Sequence, residues 1–151
     1  VLDTTDLNVH ELRDLVRDRV GQGSAEGHLL VSVVSFGYKH GVPVDVDLVF
    51  DVRFLPNPHW VDELRPLTGS DPEVREFVLG QPEAAEYLAE LGRLFRLRLP
   101  AYQREGKSYL TIAIGCTGGR HRSVAIAEAV ARSLGELGYE PTVRHRDRNR
   151  D

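Results

Sequence analysis

The chain has 151 residues, 41% of them hydrophobic, and a formal net charge of -4, enough apolar content for one domain with its own core. That charge excludes a surface coated in basic residues, so any nucleic-acid contact must be a local patch. One cysteine excludes an internal disulfide framework, no His/Cys cluster has zinc-site spacing, and no apolar run approaches membrane length; the expectation is a cytoplasmic protein with no membrane contact and no metal.

Residues 2–7 read as a short strand or linker. Asn8 with Glu11 three residues later has the form of a capping box, and Leu12, Leu15 and Val16 then give a helix face. The segment GQGSAEG at 21–27 is a flexible joint and the best candidate boundary. Because the chain opens at Val1 and contains no methionine, residues 1–27 are expected to be the remnant of a preceding domain, with the main domain at 28–146 and a polar tail at 147–151.

His28 to Phe36 is a strongly apolar strand, closed by the turn GYKHG. A second strand, Asp47 to Phe54, ends in the proline-punctuated loop LPNPHW. Two helical patterns follow at 71–79 and 82–98, separated by Gly80 and Pro82. Leu110 to Ile114 is a third strand, and Ala127, Val130, Leu134 and Leu137 mark a helix that stops at Gly138, a natural residue for the end of a helix. Pro141 to His145 gives a last short strand. Apolar strands alternating with helices predict an α/β fold: one layered domain with a mostly parallel sheet flanked by helices. In such folds ligands bind at the C-terminal ends of the strands, where GYKHG, LPNPHW and CTGGRHRS all fall.

The stretch from Tyr109 to Val124 carries the most chemistry. A β-branched strand runs into Cys116, Thr117, Gly118 and Gly119, then into Arg120, His121, Arg122 and Ser123 at the start of a helix. Glycines let backbone N–H groups turn inward, and the free amides and positive dipole end of a helix favour a phosphate. An arginine adds a planar fork that matches phosphate oxygens. Thr117, Gly118, Gly119, His121, Arg122 and Ser123 are therefore candidate phosphate contacts. The Lys-Ser/Thr pair of a Walker A loop is missing, which excludes ATP hydrolysis at this loop.

The same residues fit a second chemistry. Cys116, five residues, then Arg122 and Ser123 is the pattern of cysteine-dependent phosphatases, in which a thiolate attacks phosphorus and a general acid protonates the leaving oxygen. Asp62, two residues after Trp60, loosely imitates the acid loop, but Val61 replaces its proline and Gly115 replaces the histidine usual before the nucleophile. Against that alternative stands a small buried cysteine at a strand end.

In Asp51 to Trp60 two prolines stiffen the loop, so Arg53, Asn57 and His59 either serve the site or belong to a structural turn with Trp60 in the core and Arg53 paired to Asp51. Lys39 and His40 follow a strand and either reach an anion or solvate a turn. His10 and His28 are isolated. By composition the tail arginines, offset by Asp147 and Asp151, read as solvated.

CTGGRHRSV, together with SFGYKHGVPVDVDLVFDVRFLPNPHW and LRPLTG, resembles the C-terminal half of the RapZ/YvcJ family of bacterial nucleotide-binding proteins, over residues 1–147. VLDTTDLNVHELR resembles the end of that family's P-loop ATP/GTP-binding domain. The resemblance implies a fold like a phosphofructokinase subdomain and a non-catalytic regulatory role. It implies sensing of an amino-sugar phosphate such as glucosamine-6-phosphate, with no cofactor. As partners it implies a small regulatory RNA delivered to an RNase, and a homo-oligomeric protein. It points to His59, Thr117, Gly118, Gly119, His121, Arg122 and Ser123 as ligand contacts, with Arg53 and Asn57 beside them. For RNA the candidates are Arg120, Arg144, Arg146, Arg148 and Arg150, although aspartates interleave with the arginines of this tail. An oligomerisation module with an incidental anion site is a third reading.

Overall fold

A computed structural model describes residues 28–150; the capping box at Asn8, the helix face after it, His10, the joint at 21–27 and Asp151 lie outside the described residues. Strand β1 spans Leu30–Gly37, β2 Leu48–Asp51, β3 Tyr109–Cys116 and β4 Thr142–His145. Helix α1 spans Pro72–Leu79, α2 Pro82–Arg104 and α3 Arg122–Glu136. Single 3-10 turns follow β1 at Tyr38–His40 and sit in the proline loop at Pro58–Trp60.

The described strands form one sheet in the order β2-β3-β1-β4, and every pairing is parallel. The predicted α/β single domain is therefore what the chain forms. β3 and β1 are central, paired along eight positions from Leu30↔Tyr109 to Gly37↔Cys116. This explains why LTIAI is apolar without alternation, since strands buried on both faces need no polar side.

The two faces of the sheet are unequal. Val31, Val33, Leu110, Ile112, Ile114 and Cys116 join the large core with Val74 and Val78 of α1, Leu91, Phe95 and Leu99 of α2, and Ile126, Val130 and Leu134 of α3. The intervening residues Val34, Phe36 and Ala113 form a smaller cluster covered by Tyr38 and Val46 from the β1–β2 connection. The helices thus cover one face and a loop partly covers the other. Deleting a fully buried side chain such as Phe95 or Leu134 from the large core would cost about 2–5 kcal/mol.

Two boundaries differ from expectation. β2 ends at Asp51 rather than Phe54, because the Asp51 carboxylate accepts the Arg53 amide at 2.9 Å and turns the chain out of the ladder. Helix α2 runs past the expected stop and keeps Pro100 inside it. Proline removes one backbone donor there, but Leu99 is fully buried beside it and the Tyr139 hydroxyl donates to Gln103 at 3.1 Å, so packing outweighs the lost bond. α3 stops where Gly138 takes φ +99°, as the sequence predicts.

Candidate functional site

The parallel strands deliver three loops to one end of the sheet, and the cradle forms where β1 and β3 finish side by side at Gly37 and Cys116. The loop after β3 lies directly on the end of β1. A methyl group on Gly37 would stand 2.3 Å from the Gly118 carbonyl carbon, and one on Gly119, at φ +81°, would stand 2.5 Å from the Gly37 nitrogen. Only glycine permits that approach. The Lys39 amide donates to the Thr117 carbonyl at 3.1 Å, tying the turn after β1 to the cradle.

Helix α3 begins without a capping side chain and without an acid in its first turn. Among the described residues nothing accepts from the amides of Gly118, Arg120 and His121. Free amides at a helix start are the kind of group that can receive an anion.

Arg122 is 5% exposed, and its fork is already half engaged. Nη1 donates to the carbonyls of Arg53 at 2.8 Å and Leu55 at 3.0 Å, and Nη2 donates to Thr117 Oγ1 at 3.3 Å. Of the five guanidinium protons, the Nε–H and one Nη2–H remain, and Nε is buried without a partner. On a guanidinium, that edge is one that can pair with two phosphate oxygens at once. Burial lowers the Arg122 pKa, opposed by the neighbouring Cys116 and Asp51.

Cys116 is buried in the same cradle. Its Sγ accepts from the Gly119 amide at 3.3 Å and donates to Ser123 Oγ at 3.1 Å. His121 is 7% exposed, and its Nε2 donates to the Arg65 carbonyl at 3.1 Å. Burial depresses its pKa despite that carbonyl, which favours the neutral ring.

These groups open into a cavity of about 620 Å³ whose wall includes Lys39, Asn57, His59, Trp60, Arg65 and Arg150 beside the cradle. Among the described residues no carboxylate lines it. Asn57 Oδ1 accepts the His59 amide at 3.1 Å, which fixes the proline loop. Of the predicted residues, the structure brings Thr117, Gly118, His121, Arg122, Asn57 and His59 to one cavity, with Gly119 and Ser123 immediately behind.

Arg53 is placed differently. Its guanidinium forks onto Asp51, with Nη2 at 2.6 Å, and lies 3.9 Å from the centre of the Tyr38 ring. Only its carbonyl serves the site, through Arg122. The Arg53 guanidinium in turn holds the Asp51 carboxyl below its usual value. Trp60, expected in the core on the structural reading, is 76% exposed. Asp62 is 84% exposed on an ion pair with Arg65 and does not line the cavity. His40 is also absent from the lining.

The expected solvated tail is instead docked. Asp147 is 0% exposed; it accepts the Gly37 amide at 2.8 Å and pairs with Arg146 at 2.7 Å and Arg150 at 2.9 Å. Burial alone would raise its pKa, but Arg146, the Gly37 amide and Arg150 bring it down to about 2. Arg148 donates to Ser70 Oγ at 3.0 Å. Arg120 braces the cradle from outside, donating to the carbonyls of Leu67 at 3.0 Å, Arg148 at 3.4 Å and Pro66. Asp147 and Arg65 escaped the sequence reading; the three-residue spacing of Asp147 and Arg150 was the one available hint.

A family model described as the RapZ C-terminal domain matches residues 29–149. The chain is 58% identical over 151 residues to a nucleotide-binding protein of Frankia alni, covering 100% of this chain and 52% of that relative. A nucleotide-binding protein of Mycobacterium avium is 56% identical over 155 residues, with 52% of its length covered. One from Geobacter metallireducens is 54% identical over 147 residues, or 97% of this chain and 52% of that relative. The chain spans about half the length of these relatives. With its glycine-bedded cradle and a match that runs through every described strand, the chain belongs to the RapZ C-terminal domain family.

Proposed function

We propose that this chain is a non-catalytic regulatory domain that senses a phosphorylated metabolite, an amino-sugar phosphate such as glucosamine-6-phosphate. The observation that carries this reading is the unspent edge of Arg122, a buried fork with an orphaned Nε beside uncapped helix amides. The phosphate sits on the amides of Gly118, Arg120 and His121, Ser123 supports the cradle through Cys116, and His121 and His59 read the sugar. The domain needs no cofactor. A cytoplasmic setting and a homo-oligomeric protein accompany the reading.

The same domain docks a small regulatory RNA for an RNase in this proposal, through a narrower surface than the sequence alone implied. Arg144 and Arg150 are exposed, although Arg150 also pairs with Asp147, whereas the less exposed Arg120, Arg146 and Arg148 spend donors on Leu67, Asp147 and Ser70.

The phosphatase alternative gains one observation, the Cys116 contacts with Gly119 and Ser123, but lacks an acid, because Asp62 lies outside the cavity. One experiment addresses both readings: calorimetric titration with glucosamine-6-phosphate and with glucosamine, assaying the same samples for released phosphate. Binding that requires the phosphate, with no steady release, is expected. Equal binding of the two sugars, or steady release abolished by Cys116→Ser, would overturn the proposal.

A further inference from the structure

The far wall of the cavity has no role in holding a sugar phosphate. At about 620 Å³ the space falls within the roughly 300–1,000 Å³ of sites that enclose drug-sized ligands, and one phosphorylated hexose on the cradle leaves much of it open. Trp60 forms part of that wall and is 76% exposed. An exposed indole on a convex surface is unremarkable; on a cavity wall beside cations, amide and imidazole groups it offers a flat, largely exposed apolar surface.

The loop that carries Trp60 is held in place before any ligand arrives. Pro58 is buried, the Val61 amide donates to the Pro58 carbonyl at 2.9 Å, and Arg65 Nε donates to the His59 carbonyl at 2.7 Å. The His59 ring meets the indole edge to face, centroids 5.1 Å apart. A ring fixed in this way loses little freedom on stacking. Asn57 spends its Oδ1 on the His59 amide, which leaves its side-chain NH₂ to donate to a base carbonyl. The cradle and this platform are linked through Arg65, whose carbonyl accepts from His121.

We infer that the cavity takes a second class of ligand, a mononucleotide, with its phosphate on the Gly118–Arg122 cradle and its base laid on Trp60. The inference rests on the anion-site reading above and adds the base platform to it. A phosphate seat, a stacking face and an amide donor in one cavity rich in arginine and lysine match a nucleotide part by part, because every base offers a π-face to an aromatic side chain. Nucleotide and sugar phosphate exclude each other, since both need the cradle.

The chain has one tryptophan among its aromatic residues, so selectively excited tryptophan fluorescence reports on this wall. The test titrates the protein with uridine 5′-monophosphate, ribose 5-phosphate and uridine, following fluorescence and, in parallel, calorimetry on the native chain and on Trp60→Ala. Uridine 5′-monophosphate should quench the fluorescence saturably and bind about tenfold more tightly than ribose 5-phosphate, the scale of one base–aromatic stack. Trp60→Ala should bind the nucleotide no better than ribose 5-phosphate. Glucosamine-6-phosphate should displace the nucleotide. If nucleotide and ribose 5-phosphate bind the native chain alike, the base platform is refuted and the phosphate seat stands. If uridine binds as tightly as its monophosphate, the phosphate seat fails and the inference falls with it.

Discussion

Replacing Asp147 by asparagine is expected to destabilise the fold by roughly 2–3 kcal/mol at neutral pH. Its carboxyl titrates at about 2, below the ordinary 3.8, and a depression of that size stabilises the folded state by about 1.4 kcal/mol per pH unit. The sign follows from the direction. A carboxylate favoured in the folded state contributes fully above the unfolded pKa, and the contribution fades as pH falls from about 4 to 2. Urea unfolding at pH 7 and pH 2.5 checks both halves, because the native chain should lose most of the increment at the lower pH, whereas Asp147→Asn lacks it at either. A variant within about 0.5 kcal/mol of the native chain at pH 7 would contradict the assignment. The site should suffer too: Asp147 holds the Gly37 amide, and Gly37 is the bed on which the cradle rests.

Arg122→Ala is expected to weaken binding of glucosamine-6-phosphate by roughly 10- to 150-fold, or about 1.5–3 kcal/mol for charge-assisted hydrogen bonds. Stability should fall as well, because the carbonyls of Arg53 and Leu55 lose their donor. Arg122→Lys should rescue little. An ammonium keeps the charge but cannot brace two carbonyls and present a flat edge to the anion together. Calorimetry on both variants, with circular dichroism confirming the fold, decides it; unchanged affinity in either would sink the fork as the phosphate clamp.

What the sequence made legible was local. The cradle could be read because strand period, double glycine, cations and helix start follow one another within a few residues, and the end of α3 because Gly138 closes it. What it hid depended on long-range partners. Asp147 looks solvated in a run of arginines until β4 carries it beside Gly37, 110 positions away in the chain. Arg120 reads as a free cation beside the pocket, yet its donors turn outward to carbonyls 53 and 54 positions back. For Arg53 the spacing fits site and turn equally, and only the folded chain shows its guanidinium on Asp51 and its carbonyl under Arg122. Pro100 predicts a helix end from backbone chemistry alone, and the burial of Leu99 overrides it.

We expect one phosphate seat, formed by the backbone of residues 118–121 at the start of α3. Amide-resolved NMR during titration with inorganic phosphate tests it most directly, since it needs no assumption about the rest of the ligand. The expected result is saturable shifts confined to Gly118, Gly119, Arg120, His121 and the first amides of α3, with the Arg122 Nε–H resonance moving with the same apparent affinity. Shifts that spread over Arg144 and the other exposed arginines, without saturation and without movement in the cradle, would contradict it.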